Sequence, residues 1–264
     1  MNESAIRDRL VEHGQKLFDA PKHLNASTKN PEANALLNDF DKHPHAFVLA
    51  CVMDRQVPAE KAWIIPYRFS QKLGDFSMER LRKLSLTDIT SIMSNPPLHR
   101  FIEIMSKAFH SAIQRINNQY GGDASRIWKG TPSSAEVVYR FLEFDGVGQK
   151  IATMAANILA RDFGIPLADH YSIDISVDRH IRRVFEHLRL TAADASTAQI
   201  IYKARSLHPK YPGTMDLPCW EIGRNWCTPK KADLKCRECY MEDLCPTAAA
   251  LFPTPPQKGV GRNY

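Results

Sequence analysis

The chain has 264 residues, 44% of them hydrophobic, enough for one large domain or two lobes with real cores. Its longest apolar run, residues 46–53, is far too short to span a bilayer, and residues 1–10 mix charges where a signal peptide would be apolar. A membrane protein and a secreted one are therefore set aside in favour of a cytosolic setting, and a net charge of +6 with a pI near 9.0 suits a polyanionic partner.

In chain order, residues 5–18 read as an amphipathic helix through Ile6, Leu10 and Leu17, and residues 31–40 as a short second one, with a polar loop over 20–29 between them. His43-Pro44-His45 has nothing nearby to complete a metal-ligand set and is read as solvated loop histidines. Residues 46–54 are almost wholly apolar, as a buried helix is, and Cys51 within them reads as a small core hydrophobe. Asp54-Arg55-Gln56-Val57-Pro58 is a polar break, with Pro58 suited to the first turn of a helix running to Phe69. Helical patterns continue over 78–84, 87–93 and 98–118, the last ending at Gly121-Gly122. No stretch sustains period-two alternation and no repeat is visible, so the expected class is all-α.

Residues 133–164 read as helix, tight turn, helix. Ser133 followed by Glu136 fits a capping box, and Val137, Val138, Phe141 and Leu142 form an apolar stripe. Phe144-Asp145-Gly146-Val147-Gly148 stops that helix, and Ile151, Met154, Ala155, Ile158 and Leu159 give the next one its core face up to Gly164. A glycine turn of this kind leaves the first amides of the second helix pointing outward beside the positive end of its dipole, a ready site for a phosphate. With Gly148 as N-cap, Lys150 falls in the first helical turn, where a cation is disfavoured by ~0.3–1 kcal/mol and the neutral amine correspondingly favoured. Alone, Lys150 reads more readily as a surface lysine that touches DNA phosphate or only water.

Residues 165–176 form a connector, after which Ile181, Val184, Phe185 and Leu188 give another helix its core stripe, with Asp178 where an N-cap belongs and Arg182 one turn on as a pairing partner. Five of the six cysteines lie in the last fifth of the chain, which in a reducing compartment argues for metal rather than disulfides. Cys227-x8-Cys236-x2-Cys239-x5-Cys245 contains one close-set pair where zinc usually recruits two, so a four-iron four-sulfur cluster is favoured over zinc. Cys219 reads as a core residue. The loop between the first ligands carries Lys230, Lys231 and Lys235, with Arg237 just beyond; a metal centre would fix these cations as a phosphate-binding surface.

Gly146-Val147-Gly148-Gln149-Lys150-Ile151-Ala152, the Val177-to-Val184 helix start and the four-cysteine loop, in this order, resemble the endonuclease III family of helix-hairpin-helix base-excision DNA glycosylases. The resemblance covers residues 44–246. It implies a two-lobed helix-hairpin-helix glycosylase fold with an iron-sulfur loop, a central bundle over 44–166, and a second lobe made of 1–43 plus 167–264. It also implies double-stranded DNA with a damaged or modified base as partner, to a monomeric protein. By position, Lys150 matches the family's catalytic lysine, which marks enzymes that are both glycosylase and apurinic/apyrimidinic lyase, and Asp178 its catalytic aspartate. Gln56 resembles the side chain that fills the gap left by an extruded base, Gly146, Gly148 and Gln149 the DNA-binding hairpin, and Cys227, Cys236, Cys239 and Cys245 the cluster ligands. Lys150 and Asp178 are expected to face one cleft, and a cytoplasmic, nucleoid-associated enzyme is implied if the source is bacterial.

The chain departs from the family pattern at Asp145, where proline is usual, in the longer segment through 167–175 that supplies the rival carboxylate Asp174, and in the wider first cysteine spacing. Two other functions stand beside the lyase: a monofunctional glycosylase in which Asp178 activates water, and a non-catalytic iron-sulfur DNA-binding protein.

Overall fold

The computed structural model describes residues 2–20 and 28–252, so part of the expected 20–29 loop and the end of the chain lie outside the described residues. Fourteen α-helices follow one another without a strand among the described residues: α1 Glu3–Asp19, α2 Pro31–Asn38, α3 Pro44–Met53, α4 Ala59–Trp63, α5 Ile65–Leu73, α6 Met78–Leu81, α7 Leu86–Ser94, α8 Ile102–Tyr120, α9 Ser134–Leu142, α10 Gln149–Arg161, α11 Arg179–His187, α12 Thr197–Leu207, α13 Asp216–Asn225 and α14 Pro246–Leu251. No helix among them is long and apolar enough to cross a membrane.

The chain divides into two compact units, one from Leu17 to Ser176 and one combining the residues up to Lys16 with those from Val177 on. Residues 17–20, 28–43 and 167–176, expected in the second lobe, thus belong with the hairpin. The reason is aromatic and polar contact: Phe40 stacks on Phe163 at 3.9 Å and packs on Trp128 and Phe47, the Ala168 amide donates to the Pro132 carbonyl at 2.9 Å, and Ser134 bonds Asp169.

Helix α3 is the axis of the larger unit. Every residue from Pro44 to Met53 is buried, and Phe47, Phe69, Phe109, Phe141 and Phe144 are fully enclosed. Cys51 is inside, as expected, but His45 is too: it is 1% exposed, its Nε2 lies 2.7 Å from the Phe76 carbonyl, and burial pushes its pKa down to about 4. The loop reading of His45 fails because Pro44 starts the helix here rather than preceding it. The helix expected over 58–69 is two, since Pro66 supplies no amide to a continuous ladder and Pro58 is the N-cap of α4. Leu98 and His99 are buried ahead of α8 rather than within it.

In the other unit α11 and α13 pack closely. A Cβ on Gly223 would lie 2.7 Å from that of His180, so only glycine fits the crossing. Helix α1 joins this unit through Ile6 and Leu10 in the core and through Arg9, whose Nη1 and Nη2 donate to the Asp243 carboxylate at 2.9 and 3.1 Å.

Candidate active site and cysteine loop

The hairpin forms as its sequence dictates. Ser133 caps α9 by accepting from the Glu136 amide, but Glu136 turns to Arg140 instead of back to the cap, so the expected capping box is half made. Gly146 sits at φ +84°, a conformation that glycine adopts without cost, and Val147 below it is buried. Gly148 is the N-cap of α10 with extended backbone, and a Cβ there would meet nothing within 4 Å. Its value is therefore open space: Gly146, Gly148 and Gln149 are exposed, and the leading amides of α10 face that opening. Asp145 bonds elsewhere, its Oδ2 accepting from Ser111 of α8 at 2.6 Å.

Lys150 stands in the first turn of α10, with 37% of its side chain exposed. Its Nζ donates to Asp54 Oδ2 at 2.7 Å and lies 3.8 Å from Met154 Sδ. Asp54, whose side chain is 5% exposed, closes the C-terminal end of the apolar helix α3. In the sequence it reads as part of a polar break; the signal that could have found it is a carboxylate ending a run of ten residues that are all buried. The break then turns outward. Gln56 is exposed at φ +56°, the Arg100 guanidinium approaches its carbonyl at 3.4 Å, and Arg55 Nη1 reaches within 3.5 Å of where a Gly146 Cβ would be.

Asp178 is the N-cap of α11, as expected, its Oδ1 accepting from the His180 and Ile181 amides at 2.7 and 2.9 Å. It is half-buried, whereas the rival Asp174 is sealed at 2% exposure in the other unit. Arg182 does not pair with Asp178; it donates to the Ala195 carbonyl and to Thr197 Oγ1.

The four clustered cysteines line one cavity with Leu188, Trp226 and Met241. All six cysteines of the chain are free, and Cys219 is a buried residue of α13 as expected. The loop is held by α11: Arg183 donates to the carbonyl of Cys227 and, at 2.6 Å, to that of Gly223, while His187 Nδ1 lies 3.1 Å from Cys227 Sγ. Burial pushes the thiols of Cys227 and Cys239 up to about 11, and that of Cys236 upward, with neighbouring cysteines adding to the effect. Among the described residues no three His, Cys, Asp or Glu side chains converge as ligands of a single ion. Lys230, Lys231, Lys235 and Arg237 are all exposed, on short 3-10 turns over Lys231–Asp233 and Cys236–Glu238 or beside them.

These helices and this hairpin make an endonuclease III-like fold, the fold seen in helix-hairpin-helix DNA glycosylases. The chain is similar to a trapped endonuclease III–DNA covalent intermediate, with 16% identity, TM-score 0.61, and 95% of this chain and 99% of that one covered. It is equally similar to a thermostable thymine-DNA glycosylase, with 15% identity, TM-score 0.62, and coverage of 95% and 100%. A Clostridium acetobutylicum 8-oxoguanine glycosylase/lyase bound to DNA is similar over a smaller part, with 15% identity, TM-score 0.53, and coverage of 69% and 59%. No family model and no curated protein matches the sequence.

Proposed function

We propose that this protein is a base-excision DNA glycosylase that flips a damaged or modified base out of duplex DNA and removes it, with lyase cleavage of the strand through a Lys150 Schiff base. The observation that carries the reading is Lys150 itself: an amine at the start of the hairpin's second helix, half-exposed, hydrogen-bonded to a buried carboxylate, in a fold shared end to end with endonuclease III. A base must leave the stack before its glycosidic bond can be reached, and the exposed amides after Gly148 are suited to holding a phosphate meanwhile. The Lys150 amine then attacks C1′ and Asp178 stabilises positive charge building on the sugar. Gln56, on its outward turn, suits the gap that the base leaves.

Cys227, Cys236, Cys239 and Cys245 would hold a four-iron four-sulfur cluster. Their common cavity and their single close-set pair support a centre larger than one zinc. When bound, it serves as a structural centre that neutralises the thiolates and fixes the basic loop against DNA.

Borohydride trapping on a duplex carrying an abasic site tests the lysine. The native protein should form a covalent adduct that Lys150→Ala abolishes; no adduct, or an undiminished one in the variant, overturns the role. One observation favours a second reading. A lysine engaged with Asp54 could serve DNA contact alone, leaving Asp178 to activate water; base release without strand cleavage would select that monofunctional enzyme.

A further inference from the structure

The Lys150–Asp54 pair joins residues 96 apart in sequence, and neither the helix start nor the hairpin requires it. Asp54 is fixed from behind: its amide donates to the Cys51 carbonyl at 3.1 Å, capping α3, and its carboxylate is almost wholly enclosed while Lys150 keeps an exposed edge. The amine is thus held at one oxygen on its buried side and open on the other. We propose that Asp54 is the positioning residue for Lys150, aiming Nζ and receiving the proton that the ammonium must give up before it can attack; this rests on the lyase reading above.

The proton balance is simple. An ammonium beside a carboxylate and an amine beside a carboxylic acid hold the same number of protons, so one transfer from Nζ to an Asp54 oxygen frees the lone pair without exchange with solvent. The amine then adds to C1′ of an abasic-site aldehyde, the proton held by Asp54 passes to the carbinolamine oxygen, and that oxygen leaves as water as the iminium forms, which restores the carboxylate. No neighbour competes for that proton. The Cys51 thiol on α3 is pushed well up by burial and stays neutral, and His99 beside the same turn is pushed down by burial; Arg55 beyond them is a permanent cation, and Met154 is uncharged.

The test is the rate of borohydride trapping on an abasic-site duplex from about pH 6 to pH 9, for the native protein, Asp54→Asn and Asp54→Glu. If Asp54 takes the proton, the native-to-Asn rate ratio is about a hundredfold at the acid end and shrinks by roughly tenfold per pH unit, because the variant must wait for free amine from solvent exchange. Asp54→Glu, which keeps the acceptor, should restore most of the acid-end rate, and all three proteins should bind the duplex within about twofold of one another, as expected when an interaction made only in the reaction is removed. A ratio that is constant with pH, or an Asn variant as fast as the native protein at the acid end, overturns the role of Asp54 while leaving the lyase reading intact. A native protein that forms no adduct overturns both. Should Asp54→Asn fail to fold, Asp54→Ala takes its place, with the same pH-dependent ratio to the native rate expected and a ratio constant with pH overturning the proposal.

Discussion

Ser111 Oγ donates to Asp145 Oδ2 at 2.6 Å, tying the hairpin turn to the middle of α8. This gives the least conventional residue of the turn a partner of its own, and it leaves a negative charge on the exposed rim of the proposed phosphate site. Asp145→Asn keeps an acceptor for Ser111 and removes the charge. Its affinity for duplex DNA should rise several-fold at low salt, by about 0.5–1 kcal/mol, and the gain should fade as salt increases. Fluorescence anisotropy titrations at two ionic strengths check this; an unchanged affinity would mean that DNA does not approach the turn.

The cap that Asp178 makes and the catalytic role proposed for it are separable. As N-cap of α11 it holds two amides, so Asp178→Ala should cost about 1 kcal/mol of stability. Asp178→Asn and Asp178→Ser still cap, and should melt within about 0.5 kcal/mol of the native protein while losing base excision. Thermal melts beside a glycosylase assay on the cleaved substrate distinguish the two. Full activity in the Asn variant would leave the cap as the residue's only function.

His45 makes the larger unit sensitive to acid. Its native pKa of about 4 lies below the unfolded value, so between roughly pH 6.5 and 4 the unfolded chain takes up a proton that the native one refuses. Stability is therefore full above that window and lost as pH falls through it, by about 2–3 kcal/mol from this residue. Burial pushes His99 and His170 of the same unit the same way. His45→Gln should be less stable at pH 8, through poorer packing, yet show a flatter decline on acidification, measured as denaturation midpoints across the window.

The cysteine loop predicts a linked loss. Cys236→Ser, or chelation of iron from the native protein, should abolish visible absorbance, expose the loop to protease and weaken DNA binding. A colourless, iron-free anaerobic preparation of the native protein would remove the cluster. With the loop intact, Lys230→Ala, Lys231→Ala and Lys235→Ala should each lower affinity alike for every sequence and reduce the salt slope by about one for each phosphate that the lysine had neutralised.

Local features of the sequence are legible by eye. Apolar stripes mark most helices, the glycines of the hairpin mark the turn, and Gly148 and Asp178 are the N-caps that the residue order implies. What escapes depends on contacts across the chain. His45 looks polar and loop-like until the Phe76 carbonyl is brought to it, and residues 28–43 join the hairpin unit because Phe40 finds Phe163, Trp128 and Phe47. The candidate site divides in the same way. Lys150 is placed by its position after a glycine turn, whereas Asp54 is marked locally only as a carboxylate ending an apolar run, and its purpose is defined by a partner on another helix.

Gly223 fits against His180 with no room for a methyl group, and Arg183 binds Gly223 and the first cysteine together. The helix that begins at Asp178 is therefore welded to the segment leading into the cysteine loop. Displacement of that loop would therefore pull on the helix that Asp178 caps, through the Arg183 hydrogen bonds and the Gly223 contact together.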